Sequence, residues 1–178
     1  FAAHGLDIFD VDEIPTHGGS LRIYAQHNNG PQPIHEHVEA LLQKEKSKGM
    51  QTLEYYKGFQ EKVNQVKIEL LKFLIEQKKA GKKVAAYGAA AKGNTLLNFC
   101  GVRGDFISFV VDACDFKQGH YMPGSHIPIV SEERIREEKP DYIVILPWNL
   151  EDEIVEQLSY IREWGGQFVI PIPNLRCF

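Results

Sequence analysis

The sequence predicts an α/β chain. It should hold a Rossmann-like parallel sheet of about four strands with flanking helices, preceded by a long helix and an N-terminal pair of strands. Three observations carry this. Short apolar segments at Val84–Tyr87, 107–111, 142–146 and Gln167–Ile170 alternate with helical patterns, the signature of parallel strands joined by right-handed crossovers. Leu53, Tyr56, Phe59, Val63, Val66, Leu70 and Phe73 recur by threes and fours, as one buried helical stripe demands. Leu6–Ile14 and 20–26 alternate in part and are joined by Pro15-Thr16-His17-Gly18-Gly19, which reads as two strands and a glycine-rich connection.

Three regions follow. Residues 1–27 are the strand pair; two strands alone are marginal in water, so their sheet is expected to continue in polypeptide upstream. Phe1 in place of an initiator Met supports reading the chain as a fragment of a longer protein. Residues 28–82 form a helical linker. A segment at 36–48 precedes Gly49, and a rod over 53–82 closes at Ala80-Gly81-Lys82-Lys83 with glycine and bases, as helix ends do. Residues 83–178 are the Rossmann-like domain. A loop from 112 to 130 follows its second strand, and a short helix starts at Ser131, whose hydroxyl is placed to cap it. An amphipathic helix over 151–164 precedes the last strand.

Composition narrows the class. With 178 residues, 43% hydrophobic and 11% aromatic, the chain can bury a core and is not a disordered segment. No apolar run approaches the ~20 residues of a bilayer crossing, so no membrane role is expected. Three cysteines without a CxxC spacing argue against a disulfide scaffold and a structural zinc site in this chain, and point to a reduced, cytoplasmic setting. Residues 44–83 carry eleven Lys and five Glu, whereas 105–157 carry twelve acids and four bases. The lysines are spread around a helix and include no arginine partner, so they read as a solvated face rather than a nucleic-acid surface.

The motif with most chemical content is Val84-Ala85-Ala86-Tyr87-Gly88-Ala89-Ala90-Ala91-Lys92-Gly93-Asn94-Thr95, where the first parallel strand turns into its helix. Small residues let a ligand approach the backbone, and a helix start offers N–H groups to an anion. GxGxxG is absent. Gly88 and Gly93 have Walker A spacing, but Asn94 stands where lysine is required. Two readings stand: a phosphate cradle formed by Gly88, Lys92, Gly93 and Asn94, or a tight turn with small residues for helix–sheet packing. Asp112 ends the second strand near the spacing at which such folds place an acid on a ribose hydroxyl; it reads equally as a turn-initiating Asp. Lys117, Tyr121 and His126 lie in the following loop, expected at the carboxyl edge of the sheet, where ligands bind in open α/β folds. Trp148 and Asn149 end the third strand on that edge; Trp148 could stack on a base or cover a helix end. His17 and Ser20 sit in and beside the glycine connection. His35-Glu36-His37 is not HExxH, and an i, i+2 pair faces different sides of a helix, so no metal site is expected. No nucleophile elbow or triad is evident, and no catalytic group is assigned within the chain.

The stretches FAAHGLDIFDVDEIPTHGGSLRIYAQ, VAAYGAAAKGNTLLNFCG, VVDACDFKQGHYMPGSHIPIVS, ILPWNL and EWGGQFVIPIPN, in this order, resemble the C-terminal part of the SAM-dependent C-methyltransferases of deoxysugar biosynthesis. The Asp112-Ala113-Cys114-Asp115 stretch departs somewhat from that pattern. The resemblance implies an upstream zinc-binding module, a central SAM-binding domain whose last two strands are residues 1–27, and a TDP-sugar held against the C-terminal domain. It implies that SAM, zinc and the catalytic base are bound upstream, so the fragment is expected to be inactive alone. It makes the upstream domains its partners. Cut from their sheet, residues 1–27 carry unpaired edges, which predict self-association or disorder there. Two other classes remain open on the residues: a CoA- or dinucleotide-binding Rossmann module, and a non-catalytic structural or assembly domain.

Overall fold

Partial alternation and a glycine-rich connection produce an antiparallel pair. β1 (Leu6–Ile14) and β2 (Ser20–His27) run in register from Leu6 opposite His27 to Ile14 opposite Ser20, with a bulge between Ile8 and Asp10. The computed structural model describes all 178 residues, which divide into two units, 1–60 and 61–178. In the first unit, α1 (Glu36–Ser47) lies along β1, with His37 Nδ1 2.9 Å from Asp10 Oδ1 and Lys44 Nζ donating to Glu13 at 2.6 Å. Val11 is the unit's only buried side chain, so the pair has no core of its own.

The rod expected over 53–82 is two helices. α2 (Leu53–Lys57) stops at Gly58, and α3 (Phe59–Lys79) follows. The apolar stripe is buried only in its C-terminal half: Leu53, Tyr56 and Phe59 are 84%, 52% and 66% exposed, while Leu70 and Phe73 are buried, with Leu74 beside them. Spacing reports that residues share a face; it does not report how far along the helix a partner extends.

In the second unit, β3 (Val84–Tyr87), β4 (Val110–Val111), β5 (Ile129–Val130), β6 (Tyr142–Ile145), β7 (Gln167–Ile170) and β8 (Arg176–Cys177) form one sheet in the order β5-β4-β3-β6-β7-β8. All neighbours are parallel except β7 and β8. The sheet therefore has six strands rather than about four. The two additional strands are two residues long, too short to show periodicity, and one lies in the segment expected to be a loop. α3 and α4 (Ala91–Cys100) cover one face through Leu70, Phe73, Leu74, Leu96, Leu97 and Cys100. α5 (Glu133–Glu138), α6 (Glu151–Gln157) and the turn at Ser159–Trp164 cover the other through Ile135, Ile154, Leu158 and Ile161. Coverage on both faces explains why the central strands are continuously apolar.

Ser131 does not cap α5. Glu132 is the N-cap residue and makes no side-chain cap bond. The Ser131 hydroxyl instead bonds the Glu133 carboxylate and helps hold it below its ordinary range. No helix is long and apolar enough to cross a membrane.

Candidate functional site

The chain leaves β3 for β4 and β5 on one side, then returns to place β6 on the other. The carboxyl ends of β3 and β6 thus flank the point where strand order reverses, the position of the ligand crevice in open α/β sheets. Gly88 ends β3 with a φ of +90°, and a Cβ there would run into the ring of Pro147. A Cβ on Gly93, one turn into α4, would stand 2.5 Å from Leu146 Cβ. Both glycines thus let the β3–α4 turn close on the end of β6, and their spacing is met by packing partners. The first turn of α4 presents backbone N–H groups that have no carbonyl in the helix, and Ala90 supplies no side-chain cap.

Two groups of side chains border this turn. On the β4 side, Asp112 is 8% exposed. Its Oδ2 accepts the Ala89 N–H at 2.7 Å and the Lys117 ammonium at 3.1 Å, and its Oδ1 accepts the Cys114 N–H at 2.9 Å. Lys117 also donates to the Ala89 carbonyl at 3.2 Å. Asp112 and Lys117 therefore tie the Gly88–Ala90 turn to the end of β4, and both carboxylate oxygens are engaged internally. On the β6 side, Lys92 donates to Asn149 Oδ1, and its Nζ lies 4.8 Å from the centre of the Trp148 ring. The fold thus gathers Lys92, Trp148 and Asn149 into one cluster, and Asp112 and Lys117 into another. Asn94 Oδ1 accepts from Asn98 within α4 at 3.3 Å.

Tyr121 and His126 sit elsewhere. Gly119 donates to the Ile129 carbonyl, Ile129 to that of His120, and Met122 to that of Ile127, while Tyr121 bridges Pro128. The segment thus runs antiparallel along β5, carrying Tyr121 and His126 toward the amino ends of the strands rather than the carboxyl edge where the loop was expected. It covers the edge of β5, which blunts an otherwise open strand. In the first unit, the Ser20 hydroxyl donates to the Thr16 carbonyl at 2.9 Å, and His17 holds a φ of +57° in the same turn. His35 precedes α1 rather than lying inside it, so it stacks on His37 at 6.2 Å instead of facing away. No group of three or more His, Cys, Asp or Glu is placed to hold a metal.

A cavity of about 480 Å³ lies at the opposite, amino end of β3–β5, between Lys83, Phe109, Val130, Arg134 and Glu138. Its cations are paired, Lys83 with Glu138 at 3.1 Å and Arg134 with Glu138 at 2.9 Å. Topology and the side chains at the turn both favour the carboxyl edge.

The glycine turn, five of the six strands of the sheet and the flanking helices fall within one family pattern: residues 15–173 match the C-methyltransferase C-terminal domain. The chain belongs to the C-methyltransferase C-terminal domain family. This C-methyltransferase domain is 35% identical over 176 residues to the C-methyltransferase NovU of Streptomyces niveus, a match covering 99% of the chain but 42% of that protein. It thus spans less than half the length of that relative. Among solved structures it is similar to UDP-D-quinovosamine 4-dehydrogenase from Vibrio fischeri, with 22% identity and a TM-score of 0.37 over 52% of this chain and 79% of that one, a likeness too slight to bear on function.

Sequence reasoning located the strand–turn–helix of the C-methyltransferase domain but missed the residues that close it, Leu146 and Pro147. Two glycines five positions apart signal two close approaches; which residues make them depends on strand order. Burial pushes the Cys100 thiol above its ordinary value, and the same holds for Cys177.

Proposed function

We propose that this chain is the C-terminal nucleotide-sugar grip of a SAM-dependent C-methyltransferase acting on a TDP-4-keto-deoxysugar at the carbon next to the ketone. The observation that carries the reading is the placement of Lys92, held between Trp148 and Asn149 beside the uncapped start of α4 at the strand-order reversal. A diphosphate there would meet an ammonium and the N–H groups of a helix start together. Holding the diphosphate sets where the sugar ring projects. The 4-keto group makes its neighbouring C–H acidic, so fixing that carbon against a base is the contribution a grip domain makes to the chemistry.

SAM supplies the methyl group in such enzymes. The residues of this chain do not fit it: the acid placed for a ribose, Asp112, has both oxygens occupied by Ala89, Cys114 and Lys117, and GxGxxG is absent. SAM, the base and zinc belong, in this reading, to polypeptide outside residues 1–178, and the chain alone is inactive. Residues 1–27, which bury Val11 and little else, complete their sheet with that polypeptide; His17 and Ser20 would border the substrate there.

Calorimetric titration with TDP and a TDP-sugar tests this, with Lys92→Ala alongside and SAM, NAD and CoA as controls. Saturable TDP binding that weakens at least several-fold in Lys92→Ala, with no binding of SAM or NAD to this chain, is expected. NAD or CoA binding, or TDP binding indifferent to Lys92, would overturn it.

A further inference from the structure

Trp148 invites a role as a stacking surface for a base. The geometry points elsewhere. Its ring packs against the core cluster of Tyr87, Ile145 and Ile154, so the indole is anchored. The Lys92 ammonium lies over that ring at 4.8 Å from its centre, within the range of a cation–π attraction. A base stacked there would have to displace the lysine. The next residue, Asn149, offers its side-chain oxygen to the same ammonium. The turn that carries both is itself fixed, because the Leu150 N–H returns to the Pro147 carbonyl at 2.8 Å and Pro147 lies against Gly88.

We infer that Trp148 and Asn149 are positioning residues for Lys92. The turn after β6, not α4, sets where the anion-binding ammonium stands. This rests on the proposed anion role of Lys92 and deepens it. A lysine side chain has four rotatable bonds and loses affinity through the rotamers it must give up; an aromatic face beneath it and an acceptor beside it restrict it before ligand arrives. Trp148 and Asn149 are themselves neutral. An aromatic face and an amide oxygen orient an ammonium without cancelling its charge, whereas a carboxylate at position 149 would compete with the incoming phosphate.

The test is a double-mutant cycle in the intact protein, read as TDP affinity by calorimetry, with inorganic pyrophosphate as a second probe that has no base. Trp148→Leu is expected to weaken both probes roughly three- to tenfold, and Trp148→Phe to keep affinity within about twofold. In a Lys92→Met background the Trp148→Leu loss should vanish. Asn149→Asp should weaken binding more than Asn149→Ala. If Trp148→Leu costs the same in both backgrounds, or weakens TDP but not pyrophosphate, Trp148 contacts the ligand directly and the inference fails while the anion site stands. If Lys92→Met leaves both probes unaffected, the anion reading fails and the inference with it. Should Trp148→Leu not fold, as judged by near-ultraviolet circular dichroism, Asn149→Ala and Asn149→Asp in the same two backgrounds give the same decision.

Discussion

The carboxylate of Asp112 accepts the Ala89 N–H at 2.7 Å across the gap between the ends of β4 and β3, and the Lys117 ammonium stands 3.1 Å from the same oxygen. One acid thus fixes the entry to α4 from a strand 23 residues further on. Replacing it by Asn removes the charge that pairs Lys117 and one of the acceptors the turn uses. Asp112→Asn is expected to destabilise the fold by about 1–3 kcal/mol, because a buried donor is left poorly matched. Urea unfolding would show it, with exposed Asp115→Asn as a control expected within about 0.5 kcal/mol of the parent.

Gly93 is required by packing. A Cβ would stand 2.5 Å from that of Leu146, and both backbones are held by the sheet and helix they belong to. Gly93→Ala should cost about 1–3 kcal/mol as α4 is pushed from the sheet. Gly104, with nothing within 4 Å of the corresponding position, should accept Ala with little change. A loss at Gly104 equal to that at Gly93 in thermal unfolding would contradict the packing account.

Along α2 and α3, cost should follow burial rather than spacing. Leu70 is fully buried and Phe59 is 66% exposed, although both lie on the same expected stripe. Leu70→Ala is expected to cost about 2–5 kcal/mol, and Phe59→Ser to stay within about 0.5 kcal/mol.

The Asp141 carboxyl lies below its ordinary value of 3.8. Burial pushes it up, but the Lys82 ammonium and the Lys83 N–H, each donating at 2.8 Å, outweigh that. A depressed carboxyl contributes stability above its unfolded value and loses it as pH falls through the folded value. The stability gap between the parent chain and Asp141→Asn should therefore be present at neutral pH and close in acid below 3.8. A gap unchanged across that range in denaturation curves would contradict the pairing.

Native-state hydrogen exchange of this chain should separate the two units. β1 and β2 surround one buried side chain, Val11, whereas β3, β6 and β7 contain Ala86, Val144 and Val169 at zero exposure. Amides of the hairpin are expected to exchange far faster than those of the central strands, since local stability tracks buried apolar contact. Equal protection would show that the hairpin holds itself.

The central strands were legible because burial on both faces leaves an unbroken apolar run, and that run is a local property of the chain. β5 and β8 were not, because two residues carry no period. The C-terminal half of the helical stripe was read correctly and its N-terminal half was not, since Leu53, Tyr56 and Phe59 keep the spacing of a buried face while their side chains stay exposed. At the site, Lys92, Trp148 and Asn149 were each singled out, yet their union depends on β6 lying beside β3.

The sequence by itself determined the alternation of strands and helices, the glycine turn at 88–93 and the family pattern spanning 15–173, because period, small side chains and motif order are written residue by residue. Only the tertiary structure decided that Asp112 braces a turn, that Lys92 rests on Trp148, and that Tyr121 and His126 run away from the carboxyl edge. Each of those depends on which distant strand lies alongside, and strand order is set by the burial of whole elements against one another.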